Sequence, residues 1–164
     1  MPELTKWLKD DAVYFGLLRM SFGGGRFRRT KWVYLYWSGA KVAPMARAKA
    51  TGARAGIKSK LGASSVDIEA TSAEDVTLDA IIEKVRRSTA VDGKDDGGED
   101  PYSVDKFMKA LEEEAAASGA FFGDKGLVVS AGGPPPEKTP EQLIAELFAK
   151  ESHVNWVAFT INLG

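Results

Sequence analysis

Basic residues are concentrated in one stretch of this chain. Eleven Lys and Arg residues, and no Asp or Glu, lie between Arg19 and Lys60, although the whole chain of 164 residues has a net charge of only −1. Ammonium and guanidinium groups bind carboxylates and phosphates through charge-assisted hydrogen bonds. The chemistry that this stretch predicts is therefore electrostatic docking onto an acidic partner.

Residue types that carry covalent or metal chemistry are scarce. The chain has no Cys and one His, His153, which excludes disulfides, thiol nucleophiles and metal sites built from several histidines. The acidic stretch Asp92–Asp100 resembles a calcium loop, but Lys94 and Ser103 occupy positions where ligands are needed. No serine lies in a GxSxG arrangement. We therefore expect no cofactor, no metal site and no enzymatic activity.

The glycine-rich loop Gly23–Lys31 has some features of a phosphate cradle. It lacks the GxxxxGK[ST] spacing and precedes a predicted strand instead of a helix, so this signal is weak. A plain hairpin loop is the better interpretation. Its arginines Arg26, Arg28 and Arg29 would then extend a basic surface.

The strongest docking candidate is a predicted helix over Val42–Leu61, which has proline near its start and glycine after its end. At about 100° per residue, Arg47, Arg54 and Lys58 fall within roughly 40° of one another on this helix. We expect no acid near these cations, so the ridge suits an acidic partner; a merely solvated basic face is the alternative. A separate apolar arc is formed by Ala46, Ala50, Ala53, Ile57 and Leu61.

Two segments rich in aromatic and β-branched residues, AVYFGLLRMSF and KWVYLYWSG, precede this helix and predict a hairpin. A strand over 64–71 and one amphipathic helix over 73–88 follow it. Ser103 would cap a further helix, and the chain ends with a helix over 139–151 and a strand. This order favours an α/β (α+β layered) fold with a central mixed β-sheet flanked by helices, and not a doubly wound parallel sheet.

The chain is interpreted as a single domain over residues 1–164. Residues 1–89 form its core, residues 90–138 contribute an extra helix and linkers, and residues 139–164 supply a helix and a strand that complete the sheet. No apolar run approaches the about 18 residues that span a membrane. The start of the chain also lacks a signal-peptide pattern. A cytoplasmic location is expected.

The segment KWVYLYWSGAKVAPMARAKATGARAGIKSK resembles the central part of coactosin-like proteins, which belong to the actin-depolymerising factor homology (cofilin-like) domains. In that family a strand ending in Trp-x-Gly is followed by a long helix opening with Arg-Ala-Lys. The matching residues here are Trp37-Ser38-Gly39 and Arg47-Ala48-Lys49. The resemblance covers roughly residues 4–89 and implies the gelsolin/cofilin-like fold.

The resemblance also implies a function, which is non-enzymatic binding of actin at the cytoskeleton, to filaments in preference to monomers. Actin has an acidic surface, and the long helix is the main element with which members of the family dock onto it. The positions that match are Arg47, Lys49, Arg54 and Lys58. A second contact region, at the basic end of the family's last helix, matches Lys84, Arg86 and Arg87.

The end of the chain, EQLIAELFAKESHVNWVAF, resembles the family's opening helix and its first strand, which contains Val-Asn-Trp-x-x-Phe. Those elements are not evident at the N-terminus. We therefore expect a circularly permuted domain that is a monomer, with residues 90–138 bridging the old ends. The alternative is that the last strand joins a neighbouring chain's sheet and makes a swapped dimer.

Two other function classes remain open. One is a basic-surface module that binds phosphoinositide headgroups or nucleic acid through the loop arginines and the helix ridge, although DNA is not an expected partner. The other is a scaffold domain unrelated to actin, in which the helix over 103–118 and the proline-rich linker recruit a partner.

Overall fold

A computed structural model describes residues 8–62, 64–89, 100–118, 142, 145 and 156–160. The predicted helix over 139–151 lies outside these residues except for two helical positions, 142 and 145. The elements are β1 (Val13–Phe22), a 3-10 turn (Gly25–Phe27), β2 (Arg29–Ser38), α1 (Pro44–Leu61), β3 (Val66–Ala70), a second 3-10 turn (Ala73–Val76), α2 (Leu78–Thr89), α3 (Val104–Ser118) and β4 (Trp156–Thr160).

The strands form one mixed sheet in the order β3-β2-β1-β4. Strands β1 and β2 make the predicted antiparallel hairpin, with Leu17 opposite Tyr34. Strand β3 is parallel to β2, and α1 supplies the crossover connection that parallel neighbours require. Strand β4 pairs antiparallel with β1, placing Ala158 opposite Gly16. The predicted mixed sheet, including a last strand that returns to it, is confirmed.

Helix α1 covers one face of the sheet. Its residues Ala50 and Leu61 are almost completely buried against Phe15 and Leu17 of β1 and the tyrosines of β2. The small side chain of Ala50 lets the helix lie close to the strands, as the predicted apolar arc requires. Gly62 ends the helix with φ 95°, a conformation that favours glycine. The helix that carries the basic ridge is therefore firmly seated.

Helices α2 and α3 cover the other face. Ile81 and Val85 of α2 are buried in a cluster that also contains Phe107 of α3 and Phe22 of β1. The ring centres of Phe107 and Phe22 lie 5.7 Å apart. The predicted cap of α3 is present, since the Ser103 hydroxyl accepts a hydrogen bond from the Lys106 amide at 3.3 Å. The apolar side chains of Phe107 and Ala110 are thus part of the core and are not available to recruit a partner.

The prediction of one continuous helix over 73–88 is wrong. Thr77 adopts extended angles, φ −65° and ψ 154°, and separates the second 3-10 turn from α2. Its hydroxyl accepts a hydrogen bond from the Ala80 amide, while the Asp75 carboxylate accepts the amides of Thr71 and Ser72. Short polar side chains compete with helical bonding in this way. The apolar stripe of α2 nevertheless continues into the second 3-10 turn, since Val76 is also buried.

The Trp-x-Gly motif joins the end of β2 to the segment before β1. The Trp37 indole donates to the Lys9 carbonyl at 2.9 Å, and the Gly39 amide donates to the Ala12 carbonyl at 3.2 Å. A Cβ atom at residue 39 would overlap the backbone of Asp10. The motif therefore sets where the chain leaves the sheet and enters α1.

Candidate functional site

The candidate site is the solvent-facing side of α1. Arg47 and Lys49 are exposed there, and Arg54 and Lys58 are half-buried. Helix α1 has no acidic residue in its first turn and has Lys58 and Lys60 in its last turn, where cations complement the helix dipole. The structure therefore brings the predicted basic helix onto the protein surface.

Arg54 is held between a carboxylate and an aromatic ring. Its Nη1 donates to Glu69 Oε2 at 2.7 Å, and its guanidinium carbon lies 4.9 Å from the centre of the Tyr36 ring. Burial is the largest single effect and lowers the pKa of Arg54, but the hydrogen bond and charge of Glu69, together with Tyr34 and Asp67, outweigh it, so the net pKa is raised. The guanidinium is thus fixed in one orientation by charge and by the ring face.

Lys58 repeats this arrangement one helical turn later. Its ammonium forms an ion pair with Asp67 and lies 5.8 Å from the centre of the Tyr34 ring. Burial raises the pKa of Asp67, but hydrogen bonds from Lys58 and the Ser64 hydroxyl, together with the positive charges of Lys58 and Arg54, outweigh this effect, so the net pKa lies below its usual value. Burial also raises the pKa of Tyr34 to about 12.

The register of β2 and β3 explains why each of these two cations contacts one carboxylate and one tyrosine ring. Asp67 lies beside Tyr34 and Glu69 beside Tyr36 in the parallel ladder, so each carboxylate neighbours a ring. Two residues of a strand span about 6.6 Å, and one turn of four helical residues rises about 6 Å. The spacing of the carboxylates along β3 therefore matches that of the two cations along α1.

The expectation that no acid lies near the basic ridge is wrong. Asp67 and Glu69 come after α1 in the chain, and the crossover to β3 places them beside Arg54 and Lys58. The sequence contained a usable signal: VDIEA alternates, so both acids lie on the face opposite the buried Val66, Ile68 and Ala70. Combining that alternation with a parallel crossover would have placed these acids on the α1 side.

The other predicted cations of α1 have different surroundings. Arg47 donates from Nη2 to the Gly39 carbonyl at 3.2 Å, which ties it to the Trp-x-Gly motif. Lys49 is exposed and lies away from the ridge that Arg47 and Arg54 define. The structure thus brings the predicted residues onto one helix, with Arg54 and Lys58 engaged by carboxylates and Arg47 by an uncharged carbonyl.

The second predicted region lies on α2, on the opposite face of the sheet from α1. Arg86 pairs with Glu83 and with Asp100, and Arg87 Nε donates to Glu83 Oε1 at 2.9 Å. Lys84 is half-buried. The structure therefore does not bring the two predicted regions together into one surface.

The hairpin loop is linked to α3 by ion pairs that the sequence did not indicate. Arg28 pairs with Glu113 at 3.1 Å and with Glu114 at 3.3 Å, while Arg19 of β1 reaches Glu114 at 3.4 Å. The loop leads into β2 and not into a helix, which agrees with the hairpin interpretation. At its tip, the side chain of Phe27 is 86% exposed beside Arg26.

Metal clusters and membrane-spanning helices are both absent from the described part of the chain. Among those residues no group of three or more His, Cys, Asp or Glu side chains is arranged to hold a metal ion. None of the described helices combines the length and the apolar character needed to cross a membrane. The basic face of α1 remains the main candidate.

A mixed sheet carrying one basic helix on one face and two helices on the other defines a class of α+β domains. Residues 1–86 match the family of cofilin/tropomyosin-type actin-binding proteins. The chain belongs to this family. All of α1 and its carboxylate partners on β3 lie within the matched residues.

Individual relatives agree with this assignment. The chain is 30% identical over 78 residues to coactosin of Dictyostelium discoideum, covering 48% of this chain and 53% of the relative. It is 27% identical over 93 residues to coactosin of Entamoeba histolytica, covering 56% and 63%. The chain therefore spans between half and two thirds of the length of these relatives.

Two solved structures are also similar to parts of this chain. The crystal structure of coactosin from Entamoeba histolytica has a TM-score of 0.49 and 27% identity, covering 54% of this chain and 65% of that one. Human coactosin-like protein has a TM-score of 0.49 and 19% identity, covering 52% and 66%.

Proposed function

We propose that this protein is a non-enzymatic actin-binding module of the cytoplasm and cytoskeleton that binds filaments through α1. The observation that carries the proposal is a firmly seated helix that carries several cations and no acidic residue of its own, in a chain of an actin-binding family. Arg47, Lys49, Arg54 and Lys58 are the proposed contacts. An acidic actin surface supplies the matching carboxylates.

The seating of α1 favours binding because it limits the entropy lost on association. Ala50 and Leu61 anchor the helix, while the rings of Tyr36 and Tyr34 support Arg54 and Lys58 from the sheet side. Long basic side chains that are already ordered lose less freedom when they dock. The cations are thus presented in a nearly binding-ready arrangement.

Filament cosedimentation tests the proposal. The variant Arg47→Ala/Lys49→Ala removes two proposed contacts and leaves both carboxylate pairs of α1 intact. Its matched control, Lys106→Ala/Lys109→Ala, removes the same charge from α3 on the opposite face. We expect wild type and control to pellet with filaments, and the α1 variant to pellet several-fold less. If wild type stays in the supernatant across salt concentrations, actin binding is refuted; if both variants pellet equally, α1 is the wrong surface.

Lys84, Arg86 and Arg87 are the proposed second contact region. Since α2 and α1 cover opposite faces of the sheet, one flat surface would not reach both. A filament offers more than one subunit, so contacts at both regions would favour filaments over monomers. Replacing these three residues by alanine should reduce pelleting with filaments and leave the affinity for monomeric actin unchanged. Equal losses for the two forms of actin would contradict this division.

A second candidate function is binding to phosphoinositide headgroups at the hairpin tip. It is favoured by the exposed arginines Arg26 and Arg29 on either side of Phe27, which is 86% exposed. Cations beside an exposed aromatic ring suit an anionic lipid surface. Cosedimentation with vesicles, with and without phosphoinositide, tests it; loss of vesicle binding in Arg26→Ala/Arg29→Ala without loss of filament binding would support it.

We also propose that residues 1–164 form one circularly permuted domain of this family. Pairing of β4 with β1 inside the chain supports the proposal, because the sequence of β4 resembles the family's first strand. A swapped dimer would use the same ladder between two chains. Much of the proposed bridge, residues 90–99 and 119–138, lies outside the described structure.

A further inference from the structure

We infer that Asp67 and Glu69 set the affinity and the partner specificity of the α1 surface. They neutralise Lys58 and Arg54 in the free protein, and a docking partner must displace them. The inference rests on the proposed function, since it concerns the same helix. It assigns a role to two acidic residues of β3 that belong to no predicted contact set.

The geometry permits an exchange of partners without unfolding. The side chain of Glu69 is 59% exposed and that of Asp67 is 41% exposed, so both carboxylates can turn into solvent. Arg54 and Lys58 are 29% and 39% exposed, which leaves each cation accessible from outside. An incoming carboxylate can therefore replace the one on β3 at the same cation.

The tyrosines keep the cations in place during this exchange. Arg54 lies over the Tyr36 ring and Lys58 over the Tyr34 ring, and both rings are buried in the sheet. A cation above a ring face retains that attraction when its carboxylate partner leaves. Displacing Asp67 and Glu69 thus exposes two cations that are already positioned.

Displacement has a modest effect on affinity for each pair. Exposed ion pairs of this kind correspond to about a twofold to fivefold factor in an equilibrium constant. Two such pairs would together reduce the affinity of the α1 surface by about 4- to 25-fold, if they act independently. The acids therefore weaken docking without preventing it.

The exchange also selects among partners. A partner that offers one isolated acid replaces one carboxylate by another and gains no ion pair. A partner that is dense in carboxylates can engage both exchanged cations and also Arg47, whose partner is an uncharged carbonyl. The surface is thus matched to a protein face with two carboxylates about 6 Å apart, the rise of the four residues from Arg54 to Lys58, and a third about 10 Å further along, for Arg47.

We call the neutralisation of Lys58 and Arg54 by Asp67 and Glu69 masking. Salt dependence distinguishes masking from a simple effect of net charge. In the wild type, docking exchanges existing ion pairs for new ones at Arg54 and Lys58. Added salt therefore weakens the ion pairs of the free protein and those of the complex alike. When the β3 carboxylates are neutral, docking forms new pairs from unpaired cations, and binding becomes more sensitive to screening.

The test is filament cosedimentation of Asp67→Asn/Glu69→Gln over a range of salt concentrations. These replacements keep side-chain shape and remove the two charges. The matched control is Asp105→Asn/Glu112→Gln, which removes two charges from exposed positions on α3. We expect the β3 variant to bind about 4- to 25-fold more tightly than wild type at low salt, with a steeper loss as salt rises. The α3 control should stay close to wild type.

Other outcomes separate this inference from the proposed function. If wild type pellets with filaments but the β3 variant pellets equally or less well than the α3 control, masking is refuted and actin binding stands. If no form pellets, the proposed function and this inference fail together. Should the double variant lose its thermal transition, the single variant Glu69→Gln gives the same test, because Glu69 is the more exposed of the two carboxylates. That variant should then bind about twofold to fivefold more tightly.

Discussion

Arg54 donates to Glu69 across 2.7 Å and connects α1 to the edge strand β3 of the sheet. The two residues are 15 positions apart in the chain. The contact joins the predicted docking helix to an acid that the sequence did not place there. It therefore affects both the stability of the fold and the charge that α1 presents to a partner.

The ion pair between Arg54 and Glu69 should stabilise the fold modestly. A double-mutant cycle with Arg54→Ala and Glu69→Ala should give a coupling free energy of about 0.4–1 kcal/mol, as for partly exposed ion pairs. Urea unfolding of the four proteins measures it. The coupling should shrink at high salt. A coupling near zero at low salt would contradict a net stabilising contribution from this pair.

Two glycines should respond in opposite directions to alanine. Gly39→Ala should destabilise the fold by about 1–3 kcal/mol, because the new Cβ would overlap the Asp10 backbone. Gly52→Ala should stabilise α1 by about 0.5–1 kcal/mol, because a Cβ there meets no other atom within 4 Å. Thermal or urea unfolding checks both. Equal effects would contradict the close approach of residues 39 and 10.

Helix α3 should contribute strongly to stability. Phe107→Ala should cost about 3–5 kcal/mol, because Phe107 is 3% exposed and packs on Phe22. Its neighbour Met108 is 45% exposed, so Met108→Ala should change the free energy of unfolding by less than about 1 kcal/mol. Similar, small losses in both variants would mean that α3 is not docked on the sheet.

Asp75 should make stability depend on acid pH. Hydrogen bonds from the Thr71 and Ser72 amides hold its pKa below the usual value. A depressed pKa in the folded state means stabilisation that is present above the unfolded pKa of about 3.9 and is lost as pH falls through the folded pKa. Asp75→Ala should therefore be less stable than wild type at pH 7, by about 1–2 kcal/mol, with the difference shrinking in acid. Asp75→Asn, which keeps an acceptor, should lose less. A pH-independent difference would contradict this origin.

The β1–β4 ladder gives a test of permutation against swapping. A chain ending at Asn155 lacks β4 and should unfold at a lower temperature than wild type, whereas a chain ending at Thr160 keeps the ladder and serves as control. The mass of the intact chain in solution separates the two arrangements. A monomer agrees with a permuted domain, and a dimer that survives dilution agrees with swapping.

The sequence predicted individual elements where a local signal was strong. Long apolar runs with aromatic and β-branched residues marked β1 and β2, and Pro44 with Gly62 bounded α1. It missed the break at Thr77, because a threonine inside an apolar stripe does not reveal that its hydroxyl caps a new helix. Periodicity reports which side chains are buried and says little about such local bonds.

The basic character of α1, its apolar arc and the segments that form the mixed sheet could be predicted from the sequence, because these properties depend on composition and on spacing within each element. The surroundings of the cations could not be predicted in this way, since they depend on the tertiary fold. Asp67 and Glu69 reach Lys58 and Arg54 because β3 returns parallel to β2 beneath α1, which is a relation between distant segments. Electrostatic interactions depend on distance in space, so neighbours along the chain did not reveal them.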